Sequence, residues 1–209
     1  MDKKVYRTIV FAGDSTTDAG KNSSPDGSGS GYVSLIKNAL AAFRPWETNK
    51  VVNAGVNGNT SRDLLRRYDA DVLSFNPDIV FCMIGINDVW RQIDLSADEK
   101  DLVYPEEYAK NLKLICEKTC GGSKLIFMTP FFMERNRQDE MRMLTERYIE
   151  IMRDTAKKCN VPIIDVQAAF DEYMNYRSGI TVSWDRVHPE AVGNQIIARK
   201  VWEALETIF

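Results

Sequence analysis

The stretch Tyr6-Arg-Thr-Ile-Val-Phe-Ala-Gly-Asp-Ser15 starts as an apolar, β-branched run and ends in turn residues. A short continuous apolar run that stops at Gly and Asp is typical of a strand buried on both faces. Such strands occur in parallel sheets whose two faces are covered by helices. The stretch therefore predicts a buried strand that feeds a turn, with Ser15 at its carboxyl end.

The rest of the chain repeats this arrangement of short strands and amphipathic helices. Further strands are predicted at Val51-Val52, Ile79–Ile84, Leu125–Met128 and Val161–Val166. Helical spacing of apolar residues is found in 32–43, from Thr60 or Ser61 to Leu73, in 105–120, in 138–159 and from Pro189 onward. Alternating strands and helices indicate parallel βαβ units. The sequence therefore predicts an α/β fold with three α/β/α layers around a five-stranded parallel sheet.

The length and composition indicate an ordinary globular chain. The 209 residues contain no repeat and no second domain boundary, so residues 1–209 are predicted to form a single domain. The charged segment Leu95–Val103 is predicted to be a loop. A net charge of −3 argues against nucleic acid or an anionic membrane as the main partner. No stretch has the form of a signal peptide or a membrane span, which favours a cytoplasmic location.

The histidine and cysteine content limits the chemistry that this chain can perform. His188 is the single histidine, and the four cysteines form no CxxC pair. A zinc site is therefore improbable, and neither a metal nor an organic cofactor is indicated. The cysteines are predicted to be free thiols in a reducing compartment.

Candidate catalytic groups follow the predicted strands and precede the last helix. In an open parallel sheet, function resides at the carboxyl ends of the strands, where Ser15 is expected. A serine hydroxyl is a weak nucleophile that needs a base to take its proton, and His188 is the only imidazole. Asp185 precedes His188 by three residues and can orient the ring.

Attack on an acyl carbonyl creates an oxyanion that needs hydrogen-bond donors. The backbone N–H of Ser15, the backbone N–H of Gly55 and the side-chain amide of Asn87 are predicted to provide them. Trp90, Arg91 and Trp184 flank these residues and could line the substrate cleft, because aromatic faces suit sugar rings.

Each of these residues also has a structural interpretation. Ser15 could be a turn or cap residue, and Gly55 could serve turn geometry alone. Asn87 could bond the backbone of a tight turn, while the aromatic side chains could simply pack in the core. Asp14 and Asp88 are predicted to be structural, bonding nearby backbone.

Four ordered motifs weigh against these structural interpretations. Gly13-Asp-Ser15, Gly55 in its Asn-Ala-Gly-Val-Asn-Gly context, Gly85-Ile-Asn-Asp88 and Asp185-Arg-Val-His188 resemble the four blocks of the SGNH (GDSL-type) hydrolases. The resemblance covers nearly the whole chain. It implies a flavodoxin-like sheet and a serine carboxylesterase with a Ser-His-Asp triad and an oxyanion hole.

A narrower resemblance concerns the substrate. Met83–Gln92, Met128–Phe131 and Trp184–Pro189 are similar to the intracellular acetylxylan esterases of this superfamily. That resemblance implies a small ester substrate, an acetylated sugar or xylo-oligosaccharide, and a homo-oligomer. Alternatives are a thioesterase or lysophospholipase of the same fold, an acyltransferase, and a non-catalytic carbohydrate-binding protein.

Overall fold

The sheet has the predicted number and direction of strands. The computed structural model describes residues 6–94 and 97–208. Its five parallel strands lie in the order β2-β1-β3-β4-β5, which is the flavodoxin-like order. They are β1 (Tyr6–Gly13), β2 (Thr48–Gly55), β3 (Ile79–Met83), β4 (Lys124–Met128) and β5 (Ile163–Ile164).

Eight α-helices connect and cover these strands in the described part of the chain. They are α1 (Ser15–Asp18), α2 (Tyr32–Phe43), α3 (Ser61–Asp71), α4 (Ile86–Ile93), α5 (Pro105–Thr119), α6 (Glu140–Cys159), α7 (Val166–Met174) and α8 (Ala191–Ile208). None of the helices in the described ranges is long and apolar enough to cross a membrane.

Alternate residues of the central strand enter two separate apolar clusters, one on each face of the sheet. Val10 and Ala12 belong to a cluster that includes residues of α3, α4, α5 and α6. Ile9 and Phe11 belong to a second cluster, built with residues of α2, α7 and α8. Side chains along a strand point alternately to opposite faces, so β1 is covered on both sides. This confirms the predicted three-layer α/β/α fold.

The helix predicted from Pro189 begins two residues later, at Ala191. The backbone N–H of Glu190 donates to the carbonyl of Val182, 2.8 Å away. The side-chain amide of Asn194 donates to the carbonyl of Pro189 at 2.7 Å. The first bond holds Glu190 against the preceding loop, and the second ties Pro189 to the first turn of α8. His188 therefore lies in the loop before the helix.

The predicted charged loop between α4 and α5 contains a short 3₁₀ turn, Glu99–Asp101, and ends at the fully buried Val103. Leu95 and Ser96, at the start of that predicted loop, lie outside the described residues.

The pairing of the three central strands determines where the candidate site forms. Gly13 at the end of β1 is in register with Gly55 at the end of β2 and with Met83 at the end of β3. The segments that follow these residues therefore emerge side by side at one edge of the sheet, where parallel α/β folds place their binding crevices.

Candidate active site

Ser15 is presented at this edge by a tight strand-to-helix transition. The preceding Asp14 caps α1, since its Oδ1 accepts the N–H of Thr16 at 3.0 Å. A Cβ at Gly13 would lie 2.2 Å from the Thr17 hydroxyl, so only glycine allows the chain to turn this closely. Ser15 is half-buried while its neighbours on both sides are buried. The turn thus exposes Ser15 alone.

Ser15, His188 and Asp185 form a continuous chain of hydrogen bonds. The distance from Ser15 Oγ to His188 Nε2 is 2.9 Å, and His188 Nδ1 lies 2.6 Å from Asp185 Oδ2. Because an ionised carboxylate can only accept, the ring proton belongs on Nδ1, which leaves Nε2 to accept from the serine hydroxyl. The arrangement can therefore remove the serine proton.

Asp185 is held as a carboxylate. Burial raises its pKa, but the hydrogen bond from the His188 ring and the bonds to its other oxygen outweigh that effect and hold the pKa below its ordinary value. Oδ1 accepts the backbone N–H groups of Val187 and His188 at 2.9 and 2.8 Å, together with the hydroxyl of Ser183 at 2.9 Å. The same contacts orient the carboxylate toward the ring.

The structure does not place the N–H of Gly55 as predicted. That N–H donates to the side-chain oxygen of Asn53 at 3.0 Å, so it is already used within the fold. A Cβ at position 55 would lie 2.2 Å from the backbone nitrogen of Asp18. Gly55 therefore serves the close packing of β2 on α1, and its N–H, bonded to Asn53, does not take the predicted donor role.

A second glycine, Gly58, lines the cleft instead. The turn that contains it closes with a bond from Asn59 N–H to the Val56 carbonyl at 3.2 Å, and Gly58 has φ +72°. Gly58 and Asn87 both line a cleft of about 480 Å³. The sequence signal for this residue was the Asn57-Gly58 pair, which indicated only a turn.

Asn87 stands at the start of α4 and faces the same cleft. Its Nδ2 donates to the carbonyl of Asn59 at 3.0 Å. A side-chain amide carries two hydrogens, so this bond orients the group and leaves its second hydrogen for a ligand.

The three predicted cleft residues separate into two places. Trp90 and Arg91 line the cleft with Asn87, and the Trp90 ring lies 6.0 Å from the His188 ring between centroids. Arg91 donates to the carbonyl of Gly58 at 2.5 Å. Trp184 is 74% exposed and lines a different depression.

Arg67, which the sequence analysis did not single out, connects three segments behind the cleft. Its guanidinium donates to the carbonyl of Gly13 at 2.9 Å and to that of Ala54 at 2.8 Å. Nε donates to the side chain of Asn59 at 2.6 Å. The ends of β1 and β2 and the Gly58 turn are therefore tied to one side chain of α3.

Two buried carboxyl groups lie behind the site. Burial raises the pKa of Asp14 to about 6 and that of Asp88 to about 7. Asp88 accepts the N–H of Ser61 at 2.9 Å and its hydroxyl at 2.5 Å. These bonds join α4 to the start of α3, in agreement with the predicted structural roles. Within residues 6–94 and 97–208, no group of three or more His, Cys, Asp or Glu side chains could hold a metal ion.

Comparison with known proteins identifies the family. Residues 11–196 match the model of the GDSL-like lipase/acylhydrolase family. An acetylxylan esterase from Geobacillus stearothermophilus is 41% identical over 198 residues, which covers 91% of this chain and 90% of that protein. The crystal structure of LAE5, an α/β hydrolase enzyme from the metagenome of Lake Arreo in Spain, is 41% identical with a TM-score of 0.91, covering 96% of this chain and 95% of that one.

Crystal structures of catalytic mutants of the Geobacillus esterase are also similar, with 38% identity and a TM-score of 0.91 over 97% of this chain and 95% of theirs. These mutants carry alanine in place of a histidine, a serine or an aspartate. The family match spans most of the sequence and agrees with the four sequence motifs. The chain therefore belongs to the GDSL-like lipase/acylhydrolase family and is a serine carboxylic ester hydrolase.

Proposed function

We propose that Ser15, His188 and Asp185 form the catalytic triad of this esterase. The hydrogen-bond chain from Ser15 Oγ through the imidazole to Asp185 carries the proposal. Ser15 Oγ attacks the ester carbonyl carbon while His188 Nε2 takes the hydroxyl proton. The imidazolium then gives this proton to the leaving alcohol, which leaves an acyl-serine. Water, deprotonated by His188, attacks the acyl-serine and releases the acid and the serine.

The negative charge on the tetrahedral intermediate is stabilised by groups at the sheet edge. Ser15 is the first residue of α1, where backbone N–H groups have no partner within the helix. The Asn87 amide supplies a second donor. The turn at Gly58 takes the place that was expected for Gly55, because Gly58 lines the cleft beside Asn87 and the Gly55 N–H is bonded to Asn53.

The substrate we propose is a short acyl ester, acetyl above all, on a sugar or xylo-oligosaccharide. Trp90, Arg91, Asp94 and Asp101 line the cleft that contains Asn87, and this mixture of an aromatic face with charged side chains suits a hydroxylated leaving group. A thioesterase or lysophospholipase needs an apolar groove for a long acyl chain, which such a lining disfavours. The similar Geobacillus protein is named as an acetylxylan esterase, and membership of an esterase family removes the non-catalytic alternative.

Hydrolysis of p-nitrophenyl acetate by the native protein and by Ser15→Ala tests the nucleophile. We expect the variant to lose at least about 1000-fold in kcat, because removing the nucleophile leaves only the oxyanion donors and binding. Ser34→Ala, which changes another half-buried serine on α2, is the matched control and should retain full activity. Equal rates for native protein and Ser15→Ala, both folded by circular dichroism, would reject the proposed nucleophile.

A substrate panel then tests the acyl group and the leaving group. Acetate release from acetylated xylo-oligosaccharides should exceed, in kcat/KM, release from octanoyl and palmitoyl esters and from acyl thioesters. Faster cleavage of the long-chain esters would favour the lysophospholipase alternative. Acetylated sugar products in the presence of free oligosaccharide would instead reveal transfer to a sugar hydroxyl.

A further inference from the structure

Arg186 lies between the two members of the proposed Asp185–His188 pair in a conformation that its residue type disfavours. Its φ is +68°, in the left-handed region, where the Cβ of an L-residue crowds the backbone. The other non-glycine residues with positive φ, Ala19, Asn76 and Asn160, are cap residues at helix ends. Among the described residues, Arg186 is the only non-glycine residue with positive φ that lies between two residues of the proposed triad.

We propose that Arg186 is a positioning residue, which holds the loop in the left-handed conformation required for the Asp185–His188 contact. The inference rests on the proposed triad. Asp185 Oδ1 accepts the N–H groups of Val187 and His188, two and three residues further on, so the chain must turn sharply at position 186. An extended Arg186 would direct those N–H groups away from the carboxylate.

The Arg186 side chain and carbonyl are clamped by the segment that follows β4. Its carbonyl accepts the N–H of Met133 at 2.9 Å. Its Nη1 donates to Glu134 Oε2 at 2.7 Å and lies 3.4 Å from Asp139 Oδ2. The guanidinium carbon stands 4.7 Å from the centre of the Phe132 ring. Backbone, charge and ring contacts thus converge on a single residue.

The clamping segment is itself fixed to the core. Arg142, whose side chain is 1% exposed, donates to the carbonyl of Glu134 at 2.9 Å. The side-chain oxygen of Gln167 accepts the N–H of Phe132 at 2.7 Å. A rigid support of this kind is what allows a strained conformation to persist at a functional site.

Comparison of Arg186→Ala with Arg186→Gly separates this role from a general loss of structure. Both variants remove the side-chain clamp, but only glycine adopts positive φ as readily as negative φ. Without the side-chain contacts, alanine at position 186 should adopt the left-handed conformation that the Asp185–His188 contact requires about one tenth of the time, which lowers kcat about tenfold. Glycine at position 186 should adopt this left-handed conformation about half of the time, so kcat should stay within about twofold of the native value.

The KM for p-nitrophenyl acetate should stay nearly constant in both variants, because the change affects the fraction of competent molecules and not the cleft. Steady-state kinetics, with thermal unfolding to establish folding, provides the measurement. Native kcat in Arg186→Ala would overturn the proposal, and so would a kcat for Arg186→Gly as low as that of Arg186→Ala. Neither result would affect the assignment of the nucleophile, which Ser15→Ala tests separately.

A second variant keeps the test decisive if Arg186→Ala does not fold. Glu134→Gln retains the shape of the partner and removes its charge, and should lower kcat about twofold at constant KM. Added to Arg186→Gly it should cause no further loss, because the interaction it weakens is already absent. An unchanged kcat in Glu134→Gln would contradict the proposal that the contact between Glu134 and Arg186 holds the loop. A further loss of kcat when Glu134→Gln is added to Arg186→Gly would contradict it as well.

Discussion

At the scale of single residues, the geometry of the candidate site depends on the hydrogen-bond partner of each polar atom. Asp185 gives one oxygen to the His188 ring and the other to two backbone N–H groups and a hydroxyl. The carboxylate thereby fixes the ring tautomer, and the low pKa of Asp185 keeps it ionised across the working range. In the proposed triad, the role of this residue is therefore to orient the base.

Asp185→Asn should lower kcat by about 1000- to 10,000-fold while the protein remains folded. An amide can donate to the ring and so favours the tautomer that carries its proton on Nε2, which then cannot accept from Ser15. Initial rates with p-nitrophenyl acetate provide the measurement. Asp69→Asn, at an exposed position on α3, is the control and should be fully active; a loss below tenfold in Asp185→Asn would contradict the orienting role.

Asn87→Ala should lower kcat by about 100- to 1000-fold, the usual effect of losing one oxyanion donor. The KM should change little, because the donor acts mainly on charge that develops in the transition state. Steady-state kinetics separates the two constants. An increase confined to KM would instead assign Asn87 to binding of the ground state.

At the scale of secondary-structure elements, much could be predicted from the sequence. Helix α2 has the predicted bounds, and α5 ends one residue before the prediction. Helix α4 was not predicted, because Gly85-Ile-Asn-Asp88 has the composition of a turn and the helix is only 8 residues long. Strand β5 was predicted over six positions but pairs over 2 residues.

The candidate site, too, could be predicted only in part from the sequence. The order of the motifs predicts Ser15, Asp185 and His188 as the catalytic residues, since each belongs to a distinct chemical type at a distinct place. Gly55 and Gly58 cannot be separated in this way. Which of the two faces the cleft depends on the packing of β2 against α1, where Gly55 meets Asp18, and on the side chain of Asn53. Those contacts join segments that are distant in sequence.

Arg67→Met should destabilise the protein by about 3 kcal/mol and lower kcat. The substitution removes charge-assisted bonds to the ends of β1 and β2 and to the Gly58 turn, and leaves buried carbonyls without that donor. Arg66→Met, the neighbouring residue with a 72% exposed side chain, should cost less than about 0.5 kcal/mol. Urea unfolding of both variants gives the comparison, and equal losses would contradict the tying role of Arg67.

Asp88, which joins α4 to α3, should make stability depend on pH. Its folded pKa is raised to about 7 by burial, whereas an unfolded aspartate titrates near about 3.9. Between these values the folded state holds the proton and the unfolded state does not, so stability falls as pH rises through this window. The loss from pH 5 to pH 8 should be on the order of 3 kcal/mol. Asp88→Asn should flatten this dependence in urea unfolding at the two pH values, and an unchanged slope would contradict it.

At the scale of the whole molecule, activity and stability should respond to pH in opposite directions. The proposed mechanism needs a neutral imidazole and an ionised Asp185, so initial rates should rise as pH increases from the acid side. The folded state instead loses stability as pH rises from about 3.9, where these carboxyls ionise in the unfolded chain, to their folded pKa values of about 6 for Asp14 and about 7 for Asp88.

Both trends originate at one edge of the sheet, because the buried Asp14 and Asp88 follow the ends of β1 and β3, where the proposed catalytic site lies. Initial rates with p-nitrophenyl acetate at 25 °C should therefore rise as pH increases from the acid side, while the half-life at elevated temperature shortens as pH rises toward the folded pKa of Asp88, about 7. Asp88→Asn, assayed in parallel, should lengthen the half-life at pH 8 more than at pH 5 and leave the shape of the rate profile unchanged. If the rate and the half-life both fell toward acid pH, activity and stability would not have opposite pH dependences. Such a result would mean that protonation of these carboxyls unfolds the protein, and it would contradict the prediction.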